Sequence, residues 1–462
     1  MNRLLVTKRN TIIKELIIDV ASCDFDRRHG PHEIVEYKVN WHYRDPKLYF
    51  HIIKAIVFFI IKSRKLRNIL NYSIQGVNIG LPAYSTAVRS FKVYDSKIYL
   101  YYSVFKQLIS AVRAYFFSIK IIQKSQKNSG ELVVYLDDIS YLNSIIFDSL
   151  MRGGIGVYAH KYPHGYMFYK NKKFTTVSIA KYEYPKIIVP DEKYHTYMEK
   201  RLKSPQDYIP YYNAKISKKL KIYKPKIVNE KTILIYAHSF TDSQLIYGYD
   251  GFLNMYEWLE FTLEVLIDQD VNIIVKGHPN FWAYNYEAEV IEWDRKLWGK
   301  IKNKYIVNKH IKFIDFPVSN KEQLDLLDPK NTVVVSHHGN AVVEAAYLGF
   351  KSISSGCSPW GNEYYSFCDT WSTRGQYKEL LHNMENTRFV DVEKLKNFVS
   401  DRYIYKSSYH GKLVWFYILA NEVGVSTKEI IATPSIVTKD KFRDYEHSVR
   451  KISLSIHEFT DT

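Results

Sequence analysis

Thr332 to Gly356, TVVVSHHGNAVVEAAYLGFKSISSG, decides the fold class. Thr332 to Val335 is a β-branched run, the composition of a buried strand. The polar turn Ser336-His337-His338-Gly339-Asn340 follows it, and apolar residues then recur at helical spacing from about Asn340 to Leu348. Lys351 to Ser354 is a second short run. Strand, turn, helix and strand in so little chain make a βαβ unit, whose crossover forces the two strands to be parallel.

Working outward, the same rhythm repeats. Thr232 to Ala237 (TILIYA), Val271 to Val275 and Ile311 to Phe313 read as strands. Between them lie helical patterns at Met255–Ile267, Glu287–Ile301 and Lys321–Leu327. The first of these carries Trp258, Leu259, Thr262, Leu263 and Leu266 on one face. Five strands alternating with helices predict a doubly wound sheet. Nearer the N-terminus, Glu131–Leu136, Ile155–Ala159 and Lys186–Val189 are short buried runs, with a helix expected at Tyr141–Arg152 before Gly153-Gly154. The expected fold is α/β, with two Rossmann-like domains and a cleft between them. Residues 1–213 form the first domain, a lysine-rich segment at 214–230 links it to a second at 231–390, and 391–462 supply helices that cross back and a polar tail.

The chain has 462 residues, 40 of them Tyr, and a formal charge of +17. Such a surplus points to an anionic partner, or else to a merely lysine-rich composition. Cys23, Cys357 and Cys368 lack metal-ligand spacing, so free thiols in a reducing cytosol are expected. Ile12–Val20 is too interrupted for the apolar core of a secretory signal. Ile52–Ile61 is the most apolar stretch, interrupted or followed by Lys54, Lys62, Arg64, Lys65 and Arg67, and is far shorter than the roughly 20 residues that span a bilayer. It fits either a buried helix with a basic exit or a helix lying on an anionic membrane. A cytoplasmic protein is expected, with peripheral contact at the inner membrane face as one option.

In an open α/β sheet ligands bind beyond the carboxyl ends of the strands. Here those ends run into His238-Ser239-Phe240-Thr241-Asp242, Lys276-Gly277-His278-Pro279, Ser336-His337-His338-Gly339-Asn340 and Ser354-Ser355-Gly356. Polar segments at four successive strand ends suggest one crevice. In the third, Gly339 allows close backbone approach to a phosphate, Ser336 adds a hydroxyl and Glu344 is placed to take ribose hydroxyls; a capped turn with two partly exposed histidines is the structural alternative. Pro279 restricts His278 to extended backbone beside Lys276, where its imidazole can meet a donor phosphate or protonate a departing nucleotide, with a packed loop histidine as the alternative. Asp242 is the candidate base or nucleophile, with a turn or cap as the alternative; Asp250-Gly251 reads as a turn. On the acceptor side the candidates are Asp137 and Asp138, of which Asp138 is the candidate catalytic base, with His160 and His164 lining the acceptor pocket or serving only as loop residues. P-loop, GxGxxG, HExxH and CxxC motifs are absent, and no signature organises the aromatic residues for nucleic acid.

These stretches, AHSFTDSQ, DGFLNMYEWLEFTLE, IIVKGHPN and VVVSHHGNAVVEAAYLGFKSISSG, resemble the capsule polysaccharide biosynthesis proteins, glycosyltransferases of the two-Rossmann-domain type called GT-B. The resemblance covers roughly Lys231 to Gly356. It implies donor contacts for His278, Ser336 and Gly339 and, by likeness to CMP-Kdo-using retaining members, a nucleophilic role for Asp242. At His337-His338 the chain departs from many relatives, which carry Gly or Thr. The implied activity is transfer of an acidic sugar, Kdo above all, from a CMP donor to a glycan or lipid-linked glycan, with no metal and no further cofactor. Polyol-phosphate transfer from CDP-glycerol and a non-catalytic glycan-binding subunit are the alternatives.

Overall fold

The computed structural model describes residues 2–7, 32–36, 46–90, 92–127, 132–136, 139–161, 165–169, 175, 177, 189–203, 231–242, 245–282, 288–316 and 318–404. The linker expected at 214–230, most of the Lys186–Val189 strand and the polar tail lie outside them. The chain divides into two compact units: 1–83 with 105–179 and 401–462, and 84–104 with 180–400.

The first unit contains β1 (Asn2–Thr7), β2 (His32–Glu36), the small hairpin strands β3 (Ser73–Ile74) and β4 (Val77–Asn78), β5 (Leu132–Leu136), β6 (Gly156–Lys161) and β7 (Gly165–Tyr169). Its main sheet runs β2-β1-β5-β6-β7, parallel except for the β6–β7 pair. The expected helix runs from Leu142 to Arg152 and stops at the glycine pair. Gly154 adopts φ 74°, its N–H donates to Met151 O, and Ile155 N donates to Leu150 O at 3.0 Å. This left-handed cap satisfies the last carbonyls and turns the chain into β6. Phe147, Leu150 and Met151 then pack on Val134, Leu136 and Val157.

Helix Pro46–Lys62 corrects one expectation. Of its residues only Leu48 and Ala55 are buried, while Ile53, Val57, Ile60 and Ile61 are exposed. The buried-helix reading of Ile52–Ile61 does not hold, because the helix is apolar on two faces and its own core covers one. Among the described residues no helix is long and apolar enough to cross a membrane.

In the second unit six parallel strands, β8 (Thr232–Tyr236), β9 (Asn272–Lys276), β10 (Ile311–Ile314), β11 (Thr332–Ser336), β12 (Lys351–Ser355) and β13 (Asp369–Trp371), run in the order β10-β9-β8-β11-β12-β13. Every residue of β8 and β11 is buried, as expected of a sheet covered on both faces. Alternate residues feed two cores. Ile233, Ile235, Val333 and Val335 pack with Trp258, Leu263, Leu297 and Tyr377, whereas Leu234, Tyr236 and Val334 pack with Leu324, Ala345 and Phe350. Helix Met255–Leu266 is started by Asn254, whose side chain accepts from Glu257 N at 2.8 Å while Glu257 accepts from Leu253 N at 2.9 Å. Helix Asp191–Lys203, which lies within the 1–213 range expected for the N-terminal domain, falls in this unit. The three-residue β13 escaped the sequence pattern because it is too short to show a period.

Candidate functional site

Ser336, Tyr236, Lys276 and Ile314 stand side by side across β11, β8, β9 and β10. Two residues beyond this row, each of the first three strands delivers a histidine: His338, His238 and His278. Being level, the rings meet. His238 lies 4.1 Å from His338 and 5.4 Å from His278, centroid to centroid, and touches both because β8 is the middle strand. The strand order reverses between β8 and β11, so chain connections leave in opposite directions, which is where open α/β sheets place a ligand crevice.

Burial keeps these rings neutral. It pushes His238 down to about 4, with the charge on His337 adding to the effect against the pull of the Ser239 carbonyl and Asp242. His338 is held well below the usual imidazole value by burial and by His238, His337 and His278. His278 is held well below by crowding protein atoms, His238 and Lys276. Among the described residues the Nε2 of His338 has no hydrogen-bond partner, although the residue is only 8% exposed.

His337 points the other way, as alternation along an extended segment requires. Its ring meets the edges of Trp258 and Trp371, and its Nε2 lies 2.9 Å from Asp250 Oδ2. The Ser355 hydroxyl donates to the same oxygen. Burial opposes ionisation of Asp250, but the His337 and Ser355 contacts win and hold its carboxyl below the usual value. The Nδ1 atoms of His337 and His338 are 2.9 Å apart. A carboxylate only accepts, so His337 donates from Nε2. With His337 neutral, His338 must donate from Nδ1 and present a bare Nε2 lone pair; with His337 protonated, the bond reverses and His338 Nε2 carries a proton. Asp250, which sequence reading left as a turn, thus governs what His338 offers. The turn itself is real: Gly251 has φ 113°, and a side chain there would meet Arg374 N at 2.6 Å.

The loop bearing Asp242 is held by a carboxylate that sequence reading missed. Asp294, fully buried on helix Ala288–Tyr305, accepts from Ser239 Oγ at 2.6 Å, Phe240 N at 2.9 Å and Thr241 Oγ1 at 3.0 Å. Burial raises its carboxyl to about 6 despite these three donors. A signal existed: Asp294 occupies the stripe of Leu297, Trp298 and Ile301, where an unsolvated acid needs partners. Asp242 is partly exposed, and its charge is felt by both His238 and Asp294.

From Lys276, the last residue of β9 and two residues before His278, runs a second polar chain. Lys276 Nζ donates to Asn320 Oδ1, Asn320 Nδ2 donates to Glu344 Oε2 at 2.6 Å, and Arg201 Nε donates to Glu344 Oε1 at 2.9 Å. Burial brings the Lys276 amine down to about 7, against the pull of Glu344. Both Glu344 oxygens, assigned from sequence to ribose hydroxyls, are therefore occupied by protein; Asn320 and Arg201 carried no motif that would have singled them out. Ser336 Oγ donates to Tyr236 O at 3.1 Å and ties β11 to β8. A side chain at Gly339 would meet that Ser336 Oγ at 2.8 Å, so the glycine accommodates the serine. Gly277, Pro279 and Asn340 follow β9 and β11 at the same sheet edge, Gly277 N donating to Ile314 O at 3.2 Å.

Asp137, Asp138 and His164 lie outside the described residues, and His160 is described only as the β6 partner of Tyr166 in the first unit. Among the described residues no group of three or more His, Cys, Asp or Glu side chains is arranged to hold a metal ion.

No protein-family model matches the chain, and no curated protein matches it. Solved structures similar to it include a Methanocaldococcus jannaschii UDP-GlcNAc 2-epimerase in complex with UDP-GlcNAc and UDP, 13% identical, covering 86% of this chain and 98% of that one at a TM-score of 0.29. The Thermosulfurimonas dismutans KpsC beta Kdo 2,4 transferase is 10% identical over 50% of this chain and 71% of that one, with a TM-score of 0.25. The beta Kdo 2,7 transferase of the same KpsC is 13% identical over 64% and 86%, at 0.28.

Proposed function

We propose that the chain is a metal-independent glycosyltransferase of GT-B type that binds a nucleotide-activated sugar beyond β8, β9 and β11 and hands the sugar to a glycan acceptor. The observation that carries this reading is the level row of His278, His238 and His338 beside the strand-order reversal. Three neutral, crowded imidazoles are a poor resting arrangement and a good receptor for an anion: a phosphate supplies acceptors, raises the imidazole pKa values and draws in a proton. A departing nucleotide needs that proton or its equivalent in hydrogen bonds. With His337, paired with Asp250, protonated, His338 can supply it from Nε2 as the His337 Nδ1 proton passes to His338 Nδ1, which leaves both rings neutral.

Asp242, at the open edge of the same loop, is the candidate nucleophile. Its carboxylate attacks the anomeric carbon as the bond to the phosphate oxygen breaks; the acceptor hydroxyl then displaces the carboxylate and loses its proton to a base. The sequence resemblance favours CMP as the nucleotide and Kdo, or a related acidic sugar, as the group transferred.

Titrating the full chain with CMP, CDP, UDP and GDP while following thermal unfolding tests the donor class, with stabilisation by CMP expected. Stabilisation by UDP alone would move the donor, and no response to any of the four would remove the nucleotide reading. Incubation with CMP-Kdo without acceptor is expected to leave a glycosyl adduct on Asp242, seen by intact-mass and peptide analysis. Turnover with no adduct would dismiss the nucleophile and retain the transferase.

A further inference from the structure

Helix Pro46–Lys62 has a use that sugar transfer does not absorb. Tyr49, Phe50, Ile53, Val57, Ile60 and Ile61 are each between 48% and 68% exposed. At 100° per residue they fall within an arc of roughly 120°. Leu48 and Ala55 lie on the opposite side, packed with Ile79, Leu108 and Ala111. The exposed stripe is thus a second apolar face, continuous over the helix length, on a helix already anchored to its own core.

The charge around the stripe is of one sign. From Pro46 to Tyr94 the sequence contains no Asp or Glu. Lys54, Lys62, Arg64 and Lys65 are all exposed along the helix or just past its end. The Lys54 ammonium sits 4.4 Å from the centroid of the exposed Phe50 ring, where its stem borders the apolar stripe. A second copy of this chain, itself carrying a formal +17, would bring cations against cations. A nucleic acid would satisfy the cations and leave the aliphatic stripe in water. An anionic bilayer satisfies both, offering acyl chains to the stripe and headgroup phosphates to the flanking cations.

We infer that the exposed face of helix Pro46–Lys62 docks the protein on an anionic lipid surface, with the apolar stripe inserted at the headgroup boundary and the neighbouring lysines and arginines on the phosphates. The seating is peripheral and independent of the sugar chemistry.

Co-sedimentation of the full chain with phosphatidylcholine vesicles, with and without phosphatidylglycerol, tests this. Binding is expected only to the anionic vesicles and is expected to weaken as salt rises. The Ile53→Asp/Ile60→Asp variant should bind them at least about tenfold more weakly, since two apolar side chains no longer leave water. The Lys62→Glu/Arg64→Glu/Lys65→Glu variant should fail on anionic vesicles as well. All these positions are exposed, so thermal unfolding and the nucleotide response of each variant should match the parent, which separates this inference from the transferase reading. Wild-type protein that ignores anionic vesicles, or an Ile53→Asp/Ile60→Asp variant that binds them undiminished, would overturn it. So would a wild-type dimer in sedimentation velocity that this variant dissociates, which would give the face to a second copy.

Discussion

The two polar clusters of the second unit sit at the same sheet edge and solve burial in opposite ways. Along Lys276, Asn320, Glu344 and Arg201 each carboxylate oxygen and the lysine amine meet a partner, and the chain reads as a frame. Along Asp250, His337 and His338 the hydrogen bonds end, among the described residues, at the Nε2 of His338 on one side and at Asp250 Oδ1 on the other. A native fold rarely leaves such an atom unpaired without a reason. The difference teaches that the first cluster holds strands in place, while the second, on the proposed reading, is where the donor phosphate binds.

Glu344→Ala should do the most damage. It leaves the Asn320 amide without its acceptor and Arg201 and the buried Lys276 amine without their counter-charge, at a cost of about 3–5 kcal/mol in stability. Denaturant unfolding measures this, and a loss below about 1 kcal/mol would break the reading of that cluster as a frame.

Acid should come next. Above its unfolded value of 6.5 His238 contributes its full stability; as pH falls toward about 4 the unfolded chain takes up a proton that the folded ring refuses. The loss from this residue is of the order of 3 kcal/mol. His278 and His338 act in the same direction. Asp294 works against them, since its contribution is complete below 3.8 and is lost as pH rises through about 6. Three imidazoles against one carboxyl give net destabilisation on acidification from pH 6.5 to 4, measurable by unfolding midpoints across that window. An unchanged midpoint would mean that the histidine side is solvated.

The subtlest change separates the two clusters. His338→Phe keeps the ring contacts with His238 and Tyr247 but removes both nitrogens. The buried His337 Nδ1 loses its partner, so stability should fall by about 1–3 kcal/mol, while turnover or nucleotide affinity should fall on the order of a hundredfold. A large stability loss with activity intact would reverse the assignment of roles.

Much of the second unit was legible as pattern. TILIY, NIIVK and TVVVS are short apolar runs bounded by polar residues, and a parallel sheet buried on both faces demands such runs. His238, His278 and His338 could be named for the same reason, since a strand end in an α/β sheet is where polar residues do chemistry. Asp294 was readable in principle as an acid on an apolar stripe. Asp250, Asn320 and Arg201 were not, because nothing local marks a side chain whose partner lies far along the chain. Glu344 shows the converse: its position one turn into a helix suggested ribose, and tertiary contacts gave its oxygens to Asn320 and Arg201.

The sequence by itself determined periodicity, hence strands, helices and the class of fold, because side-chain burial follows from spacing alone. Register and partner choice came only with the tertiary structure. The parallel ladder sets three histidines level, and the contact of His337 with an aspartate from a remote turn links the proton on His338 to the charge of His337. It is likewise the packing of Leu48 and Ala55, not the hydropathy of the helix, that settles which of its two apolar faces is left outside.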